Sequence, residues 1–222
     1  MNFKSLFQSI TISVAVSLVT LSANAQGLGG LLGGIKGGGG GGAVNPDQVE
    51  KHLRDYVSGI SRMNRLLGEA LNLNELATSA QEKADCTQSG SCGLKDGASL
   101  AKGHSDDITK KIKQLQDSGV KMTEEESVKF TRSFEGFGKA ILAAKNGMTD
   151  GKNMDKGMKA LTLAANFPEI ANSLKSSVNA IKAVVDYARF SGVKADDMIK
   201  SISSASADLS GAVPGLSLDF GK

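Results

Sequence analysis

NPDQVEKHLRDYVSGISRMNRLLGEA, Asn45 to Ala70, is the stretch whose reading decides the fold. Asn45 offers a side-chain oxygen as N-cap, Pro46 takes the first helical position, where its missing N–H costs nothing, and Gln48 stands at N3. Val49, Leu53, Tyr56, Ile60, Met63, Leu67 and Ala70 then recur every three or four residues, the spacing that lines one face of an α-helix. Leu73, Leu76, Ala77 and Ala80 carry the stripe on toward Cys86. One long helix is expected, with a kink near Asn72 to Asn74.

The same period returns toward the C-terminus. A second helix is expected over about Gly97 to Asp117, with Ala101, His104, Ile108, Ile112 and Leu115 on one side and lysines opposite. Thr123-Glu124-Glu125-Glu126 is a capping box that opens a third, whose seam is Phe130, Phe134, Phe137, Ile141 and Ala144 and which Asn146-Gly147 should stop. A weaker fourth covers about Asn153 to Ala165, with Met154, Met158, Leu161 and Ala165 at core spacing. Asn166-Phe167-Pro168 breaks the chain before a fifth, with Ile170, Leu174, Val178, Ile181, Val185 and Ala188 facing inward and Gly192 at its end. A sixth begins around Ala195, with Met198, Ile202, Ala205 and Leu209 in register.

No segment shows sustained strand-type alternation, and only three prolines interrupt the chain. The expected fold is all-α: a single helical bundle of five or six helices over residues 45–210, with a disordered glycine-rich N-terminal arm and an extended tail over 211–222. Roughly 170 residues can bury about 70% of the unfolded chain's surface, an adequate core without metals.

Upstream of Asn45 the composition changes twice. Residues 1–25 carry one cation, Lys4, then the apolar run Ile10 to Leu21, then Ala23-Asn24-Ala25, the order of a secretory signal peptide cleaved after Ala25. A spanning helix needs about 20 mainly apolar residues, and this core is too short and too rich in Ser and Thr. An exported protein, periplasmic or secreted, is therefore expected. The arm over 26–44 has eleven glycines between Gly27 and Gly42. Glycine has the most backbone entropy to lose, so Gly37 to Gly42 should lack fixed structure. No Gly-Lys-Ser/Thr follows, so this is no phosphate-binding loop. Leu28, Leu31, Leu32 and Ile35 are interleaved with the glycines and are the candidate partner-binding residues, each contributing about 1.5 to 3 kcal/mol if fully buried.

The formal charge of +3 includes Lys4, and the charges are interspersed. A nucleic-acid partner usually needs a concentrated basic face and stacking aromatics; this chain has two Tyr and no Trp. Cys86 and Cys92 enclose TQSGS, which in an exported chain reads as a disulfide stapling two helices; the spacing is not Cys-x-x-Cys, which disfavours redox or metal use. Met148, Met154 and Met158 invite comparison with soft copper(I) ligands, but methionines at helical spacing more often fill core gaps. His104 on a stripe and His52 beside one read as packing residues.

No HExxH, GxSxG, Cys–His pair or EF-hand loop is present, and the three Ser-x-x-Lys matches (Ser99 to Lys102, Ser118 to Lys121, Ser191 to Lys194) lack a KTG companion. The expectation is a non-enzymatic helical interaction protein without cofactor or metal, an accessory, scaffold or assembly factor. It would bind a protein or envelope component through its bundle surface and arm. Alternatives are a membrane-active lytic or pore-forming protein acting at a membrane surface, a carrier of a small apolar ligand between helices, and self-association as a homo-oligomer.

Overall fold

Asn45 caps the first helix as its residue type demands: its Oδ1 accepts the Asp47 backbone N–H at 2.9 Å, and Pro46 follows at the first position. The computed structural model describes residues 44–200 apart from 152, 155, 156 and 197. The expected signal peptide, the arm before Val44, the sixth helix beyond residue 200 and the tail over 211–222 lie outside the described residues.

Among the described residues seven named helices follow in order: α1 Pro46–Ala70, α2 Asn74–Ser89, α3 Leu94–Asp117, α4 Glu124–Phe134, α5 Phe137–Gly151, α6 Met158–Ala164 and α7 Phe167–Ser191. The described residues form no strand, only an isolated bridge between Val44 and Met154. The protein is an all-α helical bundle.

Every residue of the α1 stripe from Val49 to Ala70 is buried. This helix is central, packing against α2, α3, α4 and α5, while α3 and α7 form the other large helix pair. The expected kink is a full stop. Asn72 takes a left-handed φ of 57°, its N–H bonds to Glu69 O at 3.2 Å, and the Leu73 N–H reaches back to Gly68 O at 2.8 Å. Those two bonds are a Schellman cap, and asparagine tolerates the left-handed conformation that it needs. The chain then doubles back as α2, and Gly68 lets α2 approach: a Cβ there would lie 2.9 Å from Leu76 Cδ2. The same cap ends α3 at Gly119 and α7 at Gly192.

The phenylalanine seam is placed as expected: Phe130, Phe134, Phe137, Ile141 and Ala144 are all buried. The Thr123 capping box is formed in both directions, at 2.7 and 3.2 Å. The helix is not continuous, however, and breaks at Glu135 and Gly136 between α4 and α5. Nor does Asn146-Gly147 stop it. Gly147 lies inside α5 because it is a contact point: a Cβ there would sit 2.7 Å from Leu53 Cδ2. Gly59 of α1 does the same opposite Ala140, with a virtual Cβ 2.7 Å from Ala140 Cβ. Small residues thus bring the backbones of α1 and α5 together, and packing overrides glycine's weak helix propensity.

The expected fourth helix is shorter than its pattern. Met154 pairs with Val44 instead of entering the helix, and α6 begins at Met158. Ala160 and Leu163 face inward, whereas Met158 and Leu161, expected in the core, are 84% and 58% exposed. Met158, Ala160, Leu161, Leu163, Ala164 and Ala165 leave almost no polar face to define a direction, so period alone could not orient this segment. In α7, Ile170, Leu174, Val178, Ile181, Val185 and Ala188 all point inward as expected. Beyond Gly192 the chain turns helical again at 196, close to where the sixth helix was expected, with Ala195 and Met198 buried.

Candidate functional site

Three arrangements of polar or exposed groups rise above ordinary packing. The first is a chain of contacts joining the disulfide to α6. Cys86 and Cys92 are bonded, with Cα atoms 5.2 Å apart, across the turn between α2 and α3. Arg54 of α1 reaches this turn, its Nη1 donating to Thr87 O at 3.2 Å and to Cys92 O at 3.0 Å. Its Nε and Nη2 both donate to Glu50 Oε1, at 2.9 and 2.6 Å. The other Glu50 oxygen meets Lys159 Nζ of α6 at 2.7 Å, and Lys159 also pairs with Asp47. Lys159 first, then Arg54, holds the Glu50 carboxyl below its ordinary pKa; Asp47 and Glu50 raise that of Lys159. A lysine flanked by two carboxylates one turn apart thus links α6 to α1. The exposed Met158 and Leu161 are carried by this seven-residue helix, on either side of Lys159 and Ala160.

The second arrangement is a buried polar seam where α1, α3 and α7 meet. Asn64 Nδ2 donates to Ala101 O at 2.8 Å, and Ser105 Oγ donates to Asn64 Oδ1 at 3.1 Å. Ser105 and Ser177 hydroxyls lie 3.3 Å apart, Ser177 donates to Ser173 O at 2.8 Å, and the Tyr56 hydroxyl sits 3.3 Å from Ser173 Oγ. Full burial drives the Tyr56 pKa upward, so the phenol stays protonated. Among the described residues, the bonds of this seam join hydroxyls, one side-chain amide and backbone carbonyls. Its chemistry is alignment: each bond is made only when the three helices are in one relative register. The apolar period gave no hint of it. The usable signal was the spacing of Ser173 and Ser177, one turn apart beside the stripe of α7.

The third arrangement is a pair of open grooves. One, of about 350 Å³, lies between α1 and α2 and is lined by Arg65, Glu69, Gln81 and Glu82 among others. The second, of about 370 Å³, has Gly59, Met63, Leu66, Ala140 and Ala143 along it, with Arg62 and Lys139 exposed at its edge.

Other sequence candidates separate. Met158 is exposed, Met154 is buried, and Met148 is packed against the core. Among the described residues no group of three or more His, Cys, Asp or Glu is placed to hold a metal ion. His104 is buried with Nδ1 unpartnered; burial lowers its pKa, Lys83 adds to that, and Asp107 opposes it. His52 Nδ1 lies 3.5 Å from Asp150 Oδ2, an ion-pair separation without a hydrogen bond. Of the Ser-x-x-Lys matches, Lys102 pairs with Asp106 at 2.7 Å and Ser191 Oγ accepts the Met122 N–H at 2.7 Å. Leu28, Leu31, Leu32 and Ile35 lie outside the described residues. No described helix is long and apolar enough to cross a membrane, which together with the disulfide is compatible with an exported protein.

No protein-family model, curated protein or solved structure matches the chain.

Proposed function

We propose that this is an exported, non-enzymatic helical interaction protein, an accessory or assembly factor that binds a protein partner through its bundle surface and its glycine-rich arm. The observation that carries the reading is α6: Met158 and Leu161 stand exposed on a short helix that the Lys159 pairs hold against α1. Large apolar side chains left in water are a favourable place for a partner to bury surface, each about 1.5 to 3 kcal/mol if covered completely. Val44 meets the segment that leads into this helix, with its N–H bonded to Asn153 O at 3.1 Å.

A membrane-active protein would have to expose its aromatic seam, and Phe130, Phe134 and Phe137 are all at most 1% exposed. A small apolar ligand would want an enclosed space, whereas both grooves described above are open. Binding is therefore the reading that asks least rearrangement of the molecule.

The test is recovery of partners from envelope and medium fractions by the intact chain, by Met158→Ser/Leu161→Lys, and by a chain lacking residues 27–42. A specific protein recovered by the intact chain and lost by the α6 double variant is the expected result. Equal recovery by all three, or leakage of liposomes at micromolar concentration, would sink the proposal.

A further inference from the structure

The Cys86–Cys92 bond joins two sulfurs in opposite electrostatic settings. Cys92 immediately precedes Gly93, the N-cap of α3, at the end of that helix where unpaired N–H groups give a partial positive charge. Lys83 Nζ lies 3.7 Å from Cys92 Sγ. Cys86 is in the last turn of α2, the negative end of a helix, with its Sγ 3.5 Å from the Lys83 carbonyl oxygen. Asp85 precedes it, exposed and bonded to Gln81. Asp96, whose carboxylate turns toward Gly93, opposes this asymmetry, and Arg54 is shared, bonding the carbonyls of both Thr87 and Cys92; Lys83 is the charge in direct contact with a sulfur. Both cysteines are half-buried, and Gln88 to Ser91 between them are exposed.

We propose that this disulfide is a directional thiol-exchange site, in which an incoming thiol attacks Cys86 and Cys92 leaves as the thiolate. Exchange is fastest when the departing sulfur best bears negative charge, and Lys83 with the α3 terminus favours that at Cys92, the sulfur that the ammonium touches. In the first step an external thiolate forms a bond to Cys86 Sγ while the Cys86–Cys92 bond breaks, and its electron pair stays on Cys92 beside Lys83. The external sulfur is thereby oxidised to the disulfide level and Cys92 is reduced. In the second step another thiolate attacks the external sulfur of the mixed disulfide and expels Cys86, which takes a proton from water. The products are one external disulfide, the Cys86 thiol and the Cys92 thiolate, which exchanges its own proton with water. The substrate class is a small or protein thiol; in reverse, the site accepts oxidation by a disulfide.

The experiment uses the intact oxidised chain, so no variant has to fold without its disulfide. Protein is exposed to millimolar glutathione as the probe, quenched with acid, alkylated and mapped by mass spectrometry. The expected result is a mixed disulfide on Cys86 at least several-fold in excess over Cys92. Lys83→Met, checked for unchanged helical circular dichroism, should slow the exchange several-fold and level that partition. Lys83→Arg should retain the bias. Adduct divided equally, adduct mainly on Cys92, no adduct while the protein remains folded, or indifference to Lys83→Met would each overturn the proposal.

Discussion

Gly59 and Gly103 sit in helices of the same bundle, and the same substitution should move stability in opposite directions. At Gly59 a Cβ would be 2.7 Å from Ala140 Cβ, a contact with no flexible end to yield, so Gly59→Ala should force α1 and α5 apart. The overpacking costs about 1 to 3 kcal/mol against a gain of about 1 kcal/mol in helix propensity, a net loss or at best no change. At Gly103 nothing lies within 4 Å, and Gly103→Ala should stabilise by up to about 1 kcal/mol. Urea denaturation of the two variants measures both signs. Tyr56→Phe removes one hydroxyl from the buried seam and leaves Ser173 Oγ without that neighbour; a loss of about 1 kcal/mol is expected in the same assay. Two titrating residues set separate pH windows. The His104 pKa is depressed below its ordinary 6.5, so the unfolded chain takes up the proton first, and stability falls as pH drops below about that value until the folded group is protonated as well. Glu50 is depressed below 4.5, so its contribution is complete above that pH and is lost as pH falls through the folded value. Melting temperature against pH should therefore decline in two stages. His104→Leu should remove the upper one, and Glu50→Gln the lower.

Among the elements, α6 is the shortest described helix and buries only Ala160 and Leu163 of its seven residues. The Lys159 pairs with Asp47 and Glu50 add a polar link from this helix to α1. Glu50→Gln and Lys159→Met should each raise amide hydrogen exchange within 158–164 while leaving exchange in α3 and α7 unchanged. If exchange rises equally throughout, the pairs serve global stability and not local placement. The break between α4 and α5 belongs to this scale too. A heptad-like seam looks continuous from Phe130 to Ala144, because the period records which side is buried and not whether the backbone bends beneath it. The long first stripe concealed a stop for the same reason. Leu73, Leu76 and Ala77 stay in phase across the Schellman cap at Asn72, so the apolar pattern runs through a reversal of the chain.

For the molecule as a whole the disulfide closes a small loop, with the cysteines six positions apart. The chain-entropy account gives such a loop about 2 to 2.5 kcal/mol, so complete reduction should lower stability by that amount without unfolding the bundle. Far-ultraviolet circular dichroism before and after reduction, with thermal melts of each form, checks it; collapse of the helical signal at room temperature would show that the turn carries more than its loop entropy. The seam of Asn64, Ser105, Ser173, Ser177 and Tyr56 was not legible beforehand, because serine and asparagine in a helix give the same signal whether they face water or meet another hydroxyl. Their partners are separated by as many as 117 positions. Where local residue chemistry suffices, the sequence alone determined the outcome: the helical period, the caps at Asn45 and Thr123, and the class of fold. Which way α6 turns, where α1 and α5 touch, and how Arg54 and Lys159 tie the disulfide to Met158 and Leu161 were decided only by the tertiary structure. These depend on pairs such as Asp47 and Lys159, 112 residues apart, whose meeting no nearest-neighbour preference encodes.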